Sequence, residues 1–158
     1  MARHPTRVLI AGGGVGGLEA ALALRAMGQK QVHVDLLAAQ SRFTYRPWSV
    51  ATPFGHGEAV EIDLDRVAAD VGFGLIEGRL RRVDADRHEI HTGDDVLAYD
   101  HLVLALGARP VEVVKGAFTF LGPTNAAELG ALLADDALLA DARVAFVTTP
   151  SAVRSASS

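Results

Sequence analysis

Near the start of the chain, the run Gly12-Gly13-Gly14-Val15-Gly16-Gly17 puts glycine at the first, third and sixth positions of a G-x-G-x-x-G pattern. Its setting limits what the run can be. The preceding Arg7 to Ala11 (RVLIA) is a short apolar stretch that reads as a strand. After the run, Leu18, Ala21, Leu22 and Leu24 recur at helical spacing through Met27, and Gly28 supplies a stop. Val32 to Leu37 (VHVDLL) then reads as a second strand, which completes a βαβ unit with a right-handed crossover and parallel strands. By themselves the six residues suit a plain tight turn as well as a ligand site. Between a strand and a helix they point to dinucleotide binding. Gly12 then permits the turn, Gly14 lets backbone approach a pyrophosphate, and Gly17 lets the helix pack on the strand. The free N–H groups at Val15 and Gly16 and the positive end of the helix dipole face the phosphates.

The usual ribose partner is an acid about 20 residues further on, at the end of the second strand. Asp35 lies near that distance, but Val34 and Leu36 beside it suggest a mid-strand carboxylate. Ser41 to Gly57 is aromatic and rich in turn residues, so a long ordered loop is expected there. Asp63 suits the N-cap of a helix whose apolar stripe is Leu64, Val67, Ala68 and Val71, ended by Gly72. Phe73 to Ile76 reads as a third parallel strand. From Gly78 to His91 and on to Val96 to Tyr99, short alternating segments around Thr92-Gly93-Asp94-Asp95 read as a small antiparallel meander. Leu102 to Leu106 reads as a buried strand ended by Gly107-Ala108-Arg109-Pro110. Asn125 with Glu128 resembles a capping box for a helix to about Leu139, and Val144 to Val147 reads as one more strand. The class is α/β, a Rossmann-like parallel sheet with a small meander.

Composition narrows the partners. A net charge of -4, without a run of Lys and Arg, lacks the footprint of a nucleic-acid or anionic-membrane binder. Neither a signal-peptide layout nor a spanning stretch of about 20 apolar residues is visible, so a cytoplasmic protein is expected. The absence of cysteine excludes disulfides, zinc thiolates and a redox dithiol, so electron chemistry needs a bound cofactor. His88 and His91, three apart on an expected strand, would lie on opposite faces, and no metal site is expected. No catalytic side chain can be nominated from the residues.

Three separated motifs carry a resemblance: VLIAGGGVGGLEAALAL from Val8 to Leu24, FTYRP from Phe43 to Pro47, and YDHLVLALGARP from Tyr99 to Pro110. Together with their spacing they resemble the pyridine-nucleotide-disulfide oxidoreductase superfamily, in its cysteine-poor branch near type II NADH dehydrogenases and sulfide:quinone reductases. The resemblance implies an FAD-dependent oxidoreductase that takes electrons from NAD(P)H and passes them through FAD to a quinone or similar acceptor. A nucleotide-binding module without turnover is the alternative. The resemblance assigns the FAD pyrophosphate to Gly12, Gly13, Gly14, Val15, Gly16 and Gly17, the adenine neighbourhood to Leu80, and closure over the FAD to Ala105, Gly107 and Ala108. Arg46 is implied as a pyrophosphate or flavin-edge contact, since a guanidinium can grip phosphate oxygens in bidentate fashion.

Two departures stand out. With FTYRP setting the register, the family's ribose acid falls on Ala38, and Leu106 occupies the place of the family's threonine. The resemblance also implies domain bounds: an FAD-binding portion over residues 1–123, an incomplete start of an NAD(P)-binding domain over 124–150, and a polar tail over 151–158. The second nucleotide-binding domain is thus expected to be truncated, with a shortened or frameshifted coding sequence as the explanation.

Overall fold

The computed structural model describes residues 4–28, 31–45, 51, 53–56, 60–93, 95–108, 111–112, 114–140 and 142–147. Two units divide it: Met1–Pro47 with Ala59–Arg109, and Trp48–Glu58 with Pro110–Ser158.

The first unit is built on four parallel strands. β1 (Thr6–Ala11) and β2 (Val32–Ala38) pair side by side, with Leu9 opposite Asp35 and Ala11 opposite Leu37. β5 (Gly74–Glu77) lies outside β2, and β9 (His101–Leu104) lies on the other side of β1. The order β5-β2-β1-β9 reverses direction between β1 and β9. A sheet covered on both faces needs continuous apolar strands, and β1 and β2 supply them. Val8, Ile10, Val34 and Leu36 pack with Ala21, Ala68 and Phe73 on the face covered by α1 (Val15–Gly28) and α2 (Leu64–Val71). Leu9, Ala11 and Leu37 face the opposite way, against Ile90 and the antiparallel meander of β6 (Arg82–Asp84), β7 (Glu89–His91) and β8 (Val96–Ala98). Strand alternation therefore sorts one sequence run into two cores.

α2 is set by its ends. The Asp63 carboxylate accepts from the N–H groups of Asp65 and Arg66 at 2.9 and 3.2 Å. At the other end, Gly72 takes φ 84° and donates its N–H to the Ala68 carbonyl at 2.8 Å. These are the cap and stop anticipated from the sequence. Asp35 is buried mid-strand, where its carboxylate meets Arg7 Nε at 3.3 Å and His33 Nε2 at 3.1 Å.

Several sequence expectations are corrected. The stretch expected as one loop contains β3 (Arg42–Thr44), paired antiparallel with β4 (Glu61–Asp63). Phe43 anchors it beside Ala38 and Leu64, a pattern of one inward residue that is too short to show period two. The strand expected over Leu102 to Leu106 ends at Leu104, and Leu104 and Leu106 are 56% and 62% exposed. Their apolar character suggested a central position, whereas among the described residues β9 is the last strand of this sheet. His88 sits in the turn between β6 and β7 rather than on a strand; its φ is 53° and its ring stacks on Tyr99 at 5.5 Å.

In the second unit a 3₁₀ turn over Gly122–Asn125 leads into α3 (Ala126–Leu133), followed by the separate α4 (Asp136–Leu139). The single helix expected here is thus two. Asn125 makes no capping bond: its Oδ1 accepts from Leu121 N at 2.8 Å and its Nδ2 donates to the Thr119 carbonyl at 2.9 Å. The side chain is committed to the preceding loop. Val144 to Val147 lies outside any strand, with Phe146 96% exposed. No helix among the described residues is long and apolar enough to cross a membrane.

Ile90 is the one meander residue among those fully buried, and it seats the meander on the sheet. Ile90→Ala is expected to destabilise the chain by about 2–5 kcal/mol, the usual cost of emptying such a site. Urea unfolding should show a lower midpoint with an unchanged slope.

Candidate functional site

The carboxyl ends of all four parallel strands open on one edge of the sheet, and the glycine run leaves β1 there. In open sheets of this kind the crevice for a ligand forms where the strand order reverses, here between β1 and β9. Two of the backbone bonds at this edge flank the glycine run. Gly12 N–H donates to the Leu37 carbonyl at 2.9 Å, tying the run to β2, and Ala105 N–H donates to the Ala11 carbonyl at 2.8 Å, tying β9's extension to β1.

The glycines of the run do different work. Gly12 has φ 126°, and a Cβ there would collide with the Ala105 carbonyl oxygen. A Cβ at Gly17 would strike the Gly12 carbonyl oxygen, so this glycine lets α1 start close against the turn. At Gly13 a Cβ would come within 2.6 Å of the Ala38 Cβ. Gly14 differs: a Cβ there would meet nothing within 4 Å. The first three glycines are needed by the protein's own packing; the fourth leaves space above the backbone at the first turn of α1. No side chain among the described residues caps that turn, and it contains no acid. Exposed N–H groups at Val15 and Gly16, an uncompensated helix dipole and an open approach form a fit for a pyrophosphate.

The remaining residues singled out from the sequence gather less evenly. Ala38 ends β2 beside Gly13 and is 2% exposed. Its methyl group offers no acceptor to a ribose. Ala105 is half-buried under the turn, while Gly107 (φ 72°) and Ala108 lie exposed just beyond it. Leu80 follows β5 on the same edge, half-buried against the meander-side core. Arg46 lies outside the described residues. Sequence reasoning passed over Glu77, the last residue of β5, which stands opposite Ala38. Its signal was an acid closing an otherwise apolar strand just before Gly78. Among the described residues, no group of His, Cys, Asp and Glu is arranged to hold a metal ion.

A parallel α/β sheet with a glycine turn at its reversal point, helices on one face and a meander on the other, is a Rossmann-like nucleotide fold. A sequence profile of the pyridine nucleotide-disulphide oxidoreductases matches residues 5–146, and the chain belongs to that family. Sulfide:quinone oxidoreductase from the hyperthermophilic bacterium Aquifex aeolicus superposes with a TM-score of 0.69 at 23% identity, over 86% of this chain and 33% of that one. Putidaredoxin reductase, in its covalent complex with putidaredoxin, gives 0.58 at 26% identity over 70% of this chain and 28% of that one. NDH2 from Plasmodium falciparum, in complex with NADH, gives 0.58 at 20% identity over 69% and 23%. The chain therefore spans about a third or less of these solved structures. No curated protein matches it.

The contrast among the glycines separates stability from binding. Gly12→Ala should cost about 2 kcal/mol or more, because it combines a disfavoured φ with a backbone clash. Gly14→Val should cost no more than about 1 kcal/mol, as at other exposed helix starts, yet block the approach of a phosphate. Urea unfolding of both variants, beside dinucleotide titrations, checks the pair; a stable Gly12→Ala or an unimpaired Gly14→Val contradicts the division.

Proposed function

We propose that the chain holds FAD at the glycine edge and serves an oxidoreductase in which NAD(P)H is the electron donor and a quinone or similar small molecule the acceptor. The observation that carries this is the open backbone at Gly14 over the uncapped start of α1, placed at the reversal point of the sheet. Membership of the family supports an oxidoreductase, and the likeness to a sulfide:quinone oxidoreductase supports the choice of acceptor. FAD when bound would supply the electron-carrying chemistry, which this cysteine-free chain has no side-chain pair to perform.

The chain's own residues bind and orient. The N–H groups of Val15 and Gly16 are the donors for the pyrophosphate oxygens, helped by the helix dipole. Gly12 and Gly17 keep those donors against the sheet by removing the side chains that would push the turn away. Ala105, Gly107 and Ala108 lie across the reversal point from the glycine run and border the crevice, with Leu80 further along the same edge on the adenine side. Arg46 is a further pyrophosphate or flavin-edge donor in this reading. In domain terms residues 1–123 provide FAD binding, and 124–150 begin an NAD(P)-binding part.

A dinucleotide site predicts a preference that a single-phosphate site does not. FAD should bind to the purified chain and be released on denaturation, while FMN, with one phosphate, binds at least about tenfold more weakly, a difference of roughly 1.4 kcal/mol. Equal or tighter binding of FMN in a fluorescence titration rejects the reading. A binding module without turnover is separated by mixing the FAD-loaded protein with NADH or NADPH. Rapid, saturable bleaching of the flavin absorbance rejects the module, whereas an unchanged spectrum is the outcome expected both of the module and of an FAD-binding part whose NAD(P)-binding part is only begun.

A further inference from the structure

Dinucleotide folds of this kind pair the glycine turn with a carboxylate at the end of the second strand, where it accepts hydrogen bonds from the ribose hydroxyls. In this chain β2 ends in Ala38, buried beside Gly13. The other acid of the strand cannot take over. Asp35 stands three residues back, about 10 Å along the strand, and is bound to Arg7 and His33. It also sits on the other face: Leu37, two residues on, packs on the meander side, whereas Ala38 belongs to the cluster of Phe43 and Leu64.

The neighbouring strand ends differently. Glu77 is the last residue of β5 and is in direct register with Ala38, a separation of about 4.8 Å between adjacent strands. Leu75 packs with the helix-side residues and with the Ala38 cluster, and Ile76 packs with the meander side. Alternation therefore returns Glu77 to the face of Ala38. Immediately beyond, Gly78 N–H donates to the Ala38 carbonyl at 2.8 Å, so the two strand ends are fixed to each other. Glu77 is exposed, and no ion pair or side-chain hydrogen bond engages it among the described residues. The side chain of a glutamate is comparable in length to one inter-strand spacing.

We propose that Glu77 accepts the ribose hydroxyls of the dinucleotide's adenosine half, the acid having moved one strand over from position 38. The assignment rests on the dinucleotide reading of the glycine edge. It makes Glu77 a specificity residue for a ribose with free hydroxyls.

The test is FAD titration of the wild-type chain, Glu77→Ala, and Glu77→Ala combined with Ala38→Glu, followed by competition with ADP and with 2′,3′-dideoxy-ADP. Glu77→Ala should weaken FAD and ADP about tenfold or more, the worth of one charge-assisted hydrogen bond, and leave dideoxy-ADP unchanged. Adding Ala38→Glu should recover most of the loss. Unchanged FAD affinity in Glu77→Ala overturns the assignment alone, as does an equal loss for ADP and dideoxy-ADP, which marks a merely structural effect. Failure of the wild-type chain to bind FAD overturns the dinucleotide reading, and the assignment with it.

Discussion

The close passage of β1's exit beneath the start of β9's extension governs the first unit. Gly12 can turn there because its φ is 126° and because it presents no Cβ to the Ala105 carbonyl. If the turn were wider, α1 would start further from the sheet, and Gly17 could no longer stack on Gly12. The helix-side cluster of Ile10, Ala21 and Val34 would then lose its lid. At roughly 25 cal/mol per Å² of buried apolar surface, loosening that cluster would cost stability. The same few backbone atoms thus fix both the core and the open approach at Gly14.

Much of this was legible in the chain because local signals agreed with the tertiary outcome. The glycine run, the apolar periods of β1 and α1, and the Asp63 and Gly72 caps each state their role within a few residues. What escaped the sequence depends on neighbours far away in the chain. β3 is recognisable only through Phe43 meeting Leu64. The exposure of Leu104 follows from β9 having, among the described residues, one partner strand, and Leu106 lies beyond the strand's end, neither of which an apolar run reveals. Asn125 offered a good cap by type, yet Leu121 and Thr119 claimed its side chain first.

The site divides in the same way. The turn was readable, since glycine at fixed offsets has few other uses. The ribose end was not, because the sequence offset from the turn leads to Ala38, while the candidate acid lies on a strand that begins only after the residues from Ala39 to Phe73 and becomes adjacent only by register. Spacing along the chain measures the distance within one βαβ unit. It says nothing about which residue the next strand will bring alongside.

Asp35 and Gly74 are likewise opposed across β2 and β5, and a Cβ at Gly74 would collide with the Asp35 carboxylate. The two positions are therefore not free to vary independently. Any larger residue at 74 must wait until 35 has become small, and a small residue at 35 first strands Arg7 and His33 without their shared carboxylate. One order of replacement passes through a clash and the other through the loss of both contacts to the Asp35 carboxylate. The pair is an epistatic ratchet: once an acid and a glycine have met in this register, each route away from them begins with a less stable protein.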